Sequence, residues 1–153
     1  MGAREYFERL MDDGAEIESR KLRAQEMRAQ LGSHSQQYGS VGGGGGYDAA
    51  RALTNVIAYE VELERDVARH KIELEEATRI LYGRSGRGGL AKARNSTDAD
   101  IICCHYLQLM KWPDIAENIV KPESASPGDW CRMRAMRAFK FIDRTGMNIL
   151  ADS

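Results

Sequence analysis

The stretch LTNVIAYEVELERDVARHKIELEEATRILY, Leu53–Tyr82, decides the fold. Within it Leu53, Val56, Glu60, Leu63, Val67, His70, Leu74, Ala77 and Leu81 recur at alternating steps of three and four, the spacing of a heptad seam. No Gly or Pro interrupts the run, and Glu62, Glu64, Arg65, Asp66, Arg69, Lys71, Glu73, Glu75 and Glu76 flank the seam. A helix with one narrow apolar stripe is marginal alone, so this one needs a partner.

Working outward, the segment Arg4–Leu31 offers Phe7, Leu10, Ile17, Ala24 and Leu31 at compatible spacing, with Gly14, Lys21 and Arg28 interrupting the stripe. The pairing expected is an antiparallel helical hairpin over residues 1–82, turned by a flexible Gly-rich loop at 32–47. That loop holds five consecutive glycines, but Gly46 is followed by Tyr47 and Asp48. A phosphate-binding P-loop requires Gly-Lys-Ser/Thr there, so the loop reads as a linker.

A second glycine patch, GRSGRGGLAKARN over 83–95, carries Arg84, Arg87, Lys92 and Arg94 and no acid. Gly86, Gly88 and Ala91 fit a dinucleotide fingerprint by letter only, because a helix precedes them where a strand should. The expectation is a flexible basic linker whose cations touch phosphates. Alternating β-branched strands are absent, and the fold class expected is all-α.

Past the linker, Ser96 or Thr97 can cap a helix over Asp98–Met110, with Ile102, Tyr106 and Leu109 on one face and Cys103, Leu107 and Met110 beside them. Pro113 suits the first turn of a short helix, Trp112–Ile119, that buries Ile115, Ala116 and Ile119. Ser126-Pro127-Gly128-Asp129 resembles a capping box that opens a last helix, Asp129–Ile142. Cys131, Ala135, Ala138, Phe139 and Ile142 would face the core of that helix, and Arg132, Arg134, Arg137 and Lys140 would face outward. The organisation expected is a trihelical helix-turn-helix domain over 96–145, followed by a tail at 146–153.

The net charge of −1 hides an asymmetry. Residues 1–82 carry 11 Lys+Arg against 15 Asp+Glu, a net −4, while residues 83–153 carry 11 against 8, a net +3. An anionic partner would meet the C-terminal part. No apolar run exceeds four residues, which leaves no membrane span or signal-peptide core. Three cysteines, two of them adjacent, suit a reducing, cytoplasmic setting.

Enzymatic readings find no nucleophile, base and orienter, so no catalytic residue, cofactor or metal is expected. Cys103, Cys104 and His105 are neighbours on one helix, where successive side chains diverge by about 100°, and no spaced Cys/His pair completes a tetrahedral site. Trp112 and Trp130 read as core fillers, and His70 as a packing residue on the seam.

YLQLMKWPDIAENI followed by SPGDWCRMRAMRAFKFI resembles the helix-turn-helix of region four of bacterial sigma factors. Trp112, Ile115 and Ala116 match its W-x-x-I-A core, and Arg134, Arg137, Ala138 and Ile142 match the helix that follows. The turn Val120–Asp129 is longer than in sigma factors, and Trp130 or Cys131 stands where their anchoring valine would be. The whole layout is similar to small phage-encoded late-gene activators of the ArpU and RinA type.

That resemblance implies a non-enzymatic transcriptional regulator of phage or prophage origin that binds double-stranded DNA. The contacts would come from Asp129, Trp130, Arg132, Met133, Arg134, Arg137 and Lys140, with Arg84, Arg87, Lys92 and Arg94 adding phosphate contacts. RNA polymerase is a further partner it suggests, and the heptad seam, which could be satisfied within one chain or between two, allows a homodimer through the hairpin. Two other functions share the layout: a small-terminase-like packaging adaptor, and a polymerase-binding module that does not itself touch DNA.

Overall fold

The computed structural model describes residues 1–36 and 48–153, with 34–36 as backbone only. The described residues are helical, without strands: α1 Ala3–Gln36, α2 Ala49–Tyr82, α3 Gly89–Ala93, α4 Ser96–Ile102, α5 Trp112–Ile115, α6 Pro127–Thr145 and α7 Met147–Asp152. The first helix runs five residues past Leu31. From residue 37 on, the expected glycine-rich loop lies outside the described residues. No described helix is long and apolar enough to cross a membrane.

Contacts divide the chain into two compact units, Ala15–Arg69 and Met1–Gly14 with His70–Ser153. In Ala15–Arg69 the seam is thin. Ile17 and Ala24 of α1 bury against Leu63 of α2, with Tyr59 and Val67 packed around them. Arg20 reaches Asp66 and Arg28 reaches Glu60, each at 2.6 Å, so numbers fall along α2 as they rise along α1. The Arg20 guanidinium holds the Asp66 carboxyl below the usual carboxylate range. Lys21 and Arg28, which break the apolar stripe, stay at the surface, and Arg28 spends its charge on Glu60.

The other unit has a thick core. Phe7 and Leu10 of α1 and Ala77, Ile80 and Leu81 of α2 pack with Ile101, Ile102, Tyr106, Ile115 and the inner face of α6. Phe7 stacks on Phe139 at 5.6 Å between centroids, and Tyr106 meets Phe139 edge-on at 5.2 Å. Burial lifts the Tyr106 phenol to about 12. The N-terminal residues thus belong with the C-terminal helices, which corrects the expected boundary at residue 82. A heptad register specifies a face but not its partner, and Phe7 meets Phe139 of α6 and Tyr106.

The joint at 83–95 is also corrected. Gly83 and Gly89 take positive φ (75° and 63°), and Leu90 is fully buried. A Cβ on Gly88 would stand 2.6 Å from the Ser153 carbonyl oxygen. Gly89 N–H donates to Ser153 Oγ at 2.7 Å, and Arg84 pairs with Asp152 at 2.9 Å. The glycines therefore build a tight turn against α7, not a loose tether, because only glycine permits this φ and this closeness. The expected tail is helical from Met147 to Asp152, with Leu150 buried.

Helix ends follow local chemistry. Asn95, one residue before the expected caps, accepts the Thr97 N–H at 2.7 Å and starts α4. Past Ile102 the helix widens: Gln108 N–H donates to Cys103 O, and Leu109 takes φ 60° to end it. Leu109 is consequently exposed, not on the Ile102–Tyr106 face. Pro113 opens α5 in its first turn, and a wide turn over Ala116–Val120 leaves Ile119 exposed. Pro127 opens α6 two residues earlier than expected, and the Ser126 side chain makes no capping bond, so the capping box does not form. Gly146, at φ 101°, ends α6.

Candidate nucleic-acid interface

Helix α6 sorts its side chains by the 3.6-residue period. Cys131, Ala135, Ala138, Phe139 and Ile142 are buried. Met133, Arg137, Lys140 and Arg144 recur at steps of four, three and four on the opposite side, and all four are exposed. Asp129 and Arg132 are exposed at the start of the helix, 3.5 Å apart, and Trp130 is half-buried.

Arg134 has a different fate. It lies one residue beyond Met133, which turns it about 100° off the outward stripe toward α4. Its Nε donates to Asp98 Oδ1 at 2.6 Å, and its guanidinium lies 5.1 Å from the Trp130 ring centroid. The expected outward presentation of Arg134 is therefore corrected to a half-buried one against Asp98. Arg94 takes the other carboxylate oxygen, Nε to Asp98 Oδ2 at 2.8 Å, and rests 5.6 Å from the Phe141 centroid. Asp98 is 1% exposed. A buried carboxylate is costly unless its lone pairs are met, and two charge-assisted bonds meet them here.

Arg94, Arg137, Lys140, Asp143 and Arg144 line an open groove of about 490 Å³. The carboxylate in it, Asp143, accepts the Ala3 N–H at 2.7 Å and so sits at the N-terminus of α1, where a negative charge is favoured. The structure thus joins Arg94, from the joint, to Arg137 and Lys140, from the expected recognition set. It leaves Arg84 with Asp152, and Arg87 and Lys92 exposed but outside the groove.

Sequence reasoning missed Asp98, Asp143 and Arg144. The four-residue spacing of Arg94 and Asp98 was a usable signal for that pair. Arg144 closes the basic run that begins near Trp130, and its place on the helical stripe follows from counting. Nothing local links Asp98 to Arg134, 36 residues away.

Burial pushes the Cys103, Cys104 and Cys131 thiols up, which suppresses their nucleophilic form at neutral pH. His105 stacks on Trp112 at 3.6 Å and bonds Met110 O through Nδ1 at 2.7 Å, while burial lowers its pKa. Among the described residues no group of three His, Cys, Asp or Glu side chains is arranged to hold a metal ion. Comparison with known proteins finds no match for the chain, neither a family model, nor a curated protein, nor a solved structure.

Proposed function

We propose that the chain is a DNA-binding transcriptional regulator of phage or prophage type, with α4, α5 and α6 as a sigma region-four-like helix-turn-helix and the paired stretches of α1 and α2 as a helical hairpin. The observation that carries this reading is the outward stripe of α6, Met133, Arg137, Lys140 and Arg144, set opposite a wholly buried face. A recognition helix needs that division: one side anchored in the domain, the other cationic and free to enter the major groove. Asp129, Trp130 and Arg132, near the helix start, stand where base edges are reached, and Arg137, Lys140 and Arg144 serve the backbone. Arg134 drops out of the contact set because it turns to Asp98 and, unlike Arg94, does not line the groove.

The test is the salt dependence of binding to duplex DNA. Replacing Arg137 and Lys140 together by Ala should flatten the slope of log K against log salt by about 1.8, since each lost phosphate contact removes about 0.9. An unchanged slope would remove α6 from the interface.

A second reading, a packaging adaptor that assembles in rings, is favoured by one observation. Leu53, Ile57 and Val61 of α2 are 41–47% exposed and sit on successive turns of one helix face. Mass in solution separates the two: a monomer or dimer supports the regulator, and a large ring supports packaging.

A further inference from the structure

We infer that the groove bounded by Arg94, Arg137, Lys140 and Arg144 is a phosphate clamp, with Asp98 as the residue that positions Arg94. It deepens the DNA-binding proposal and rests on it: the clamp would grip one phosphodiester of the duplex backbone beside the recognition helix.

Three observations converge on it. Four cations from two parts of the chain line one groove, and the carboxylate among them already receives the Ala3 N–H. Cations gathered this closely repel one another, and an anion between them relieves that repulsion. Arg94 is also preorganised. Asp98 engages its Nε, and the ring of Phe141 lies beneath its guanidinium, so the Nη edge is left to donate in a fixed plane.

Asp98 itself is buried and its two oxygens are taken by Arg94 and Arg134, so it leaves Arg137, Lys140 and Arg144 to the anion. An arginine fork held in place beside a lysine point charge matches the tetrahedral oxygens of a phosphoryl group. A flexible acidic peptide would draw on the same charge but not on the fork geometry.

The test uses the full chain and two probes, inorganic pyrophosphate and a 20-base-pair duplex. Pyrophosphate titration should shift the Arg94 Nε–H signal in nitrogen-15 NMR, and the duplex should bind with a steep salt slope. Arg144→Ala, which leaves the Asp98 bonds intact, should weaken pyrophosphate binding about tenfold, the loss expected for one charge-assisted contact. It should also lower the duplex slope by about 0.9. Arg94→Ala should do the same, and Lys21→Ala, an exposed cation of α1 outside the groove, should do neither.

Asp98→Asn keeps the side-chain shape and removes the charge. If its pyrophosphate affinity falls while the chain still melts cooperatively, Asp98 positions Arg94, and unchanged affinity would overturn that role. Pyrophosphate binding that is absent in the unaltered chain, or indifferent to both Arg144→Ala and Arg94→Ala, overturns the clamp, as does tighter binding of poly-glutamate than of the duplex. Failure of the DNA proposal looks different: pyrophosphate binds and responds to the variants, but the duplex does not bind at all.

Discussion

Two units share the helices α1 and α2, yet they are held together by different means. In Ala15–Arg69 the described core is a cluster of three buried side chains, Ile17, Ala24 and Leu63, with Val56 buried apart from it, supplemented by the Arg20–Asp66 and Arg28–Glu60 bridges. In Met1–Gly14 with His70–Ser153 it is twenty, gathered from α1, α2 and the five helices after them. The same periodicity runs through both. What differs is how many layers the apolar stripe can touch, since hydrophobic stabilisation scales with area removed from water and a two-helix seam offers little. The thin unit is the one expected to open locally at lower free energy.

Three substitutions would break or sharpen that contrast. Phe139→Ala empties a site that Phe7 and Tyr106 both contact, and should cost about 4 kcal/mol in urea unfolding. A loss under about 1 kcal/mol would mean the thick core is loosely packed. Leu63→Ala should cost less, about 2 kcal/mol, because its neighbours are few and the site can collapse. Its mark should be local: faster amide exchange across Ala15–Arg69, with the amides of α6 unchanged. Equal acceleration in both would make the chain a single cooperative unit.

The smallest effect belongs to Arg28→Ala. Its side chain is 50% exposed and that of Glu60 32%, so a double-mutant cycle should return a coupling smaller than the Leu63→Ala loss, screened further by salt. A larger coupling would show that ion pairs, not the buried trio, hold the thin unit.

Much of this was legible in the chain. The heptad seam marked Val56, Leu63, Ala77 and Leu81, and all four are buried. The inner face of the last helix was expected residue for residue, from Cys131 to Ile142. Both follow from periodicity, which needs no knowledge of the partner. Gly14 shows the limit. It interrupts the α1 stripe by composition, but a Cβ there would lie 3.3 Å from His70 Nε2, so the gap is filled from α2. The glycines near residue 88 looked like a tether because composition cannot show that Ser153 packs against them.

The candidate site divides along the same line. Cationic character near the last helix was plain, and Arg137 and Lys140 stand on its outward side. Arg134 was indistinguishable from them by residue type and lies three positions from Arg137, but Asp98 captures it. By residue type Arg94 is one of four equivalent linker cations, and it alone of those four reaches the groove.

The sequence by itself determined the all-helical class, the apolar faces and the separation of acidic from basic halves, because these depend on period and composition along one strand of chain. The tertiary structure decided which arginines line the groove, where the N-terminal turn of α1 packs, and why the second glycine patch makes a tight turn. Those outcomes depend on groups brought within bonding distance from 36 residues away at Asp98–Arg134 and 140 at Ala3–Asp143, separations across which local pattern carries no information.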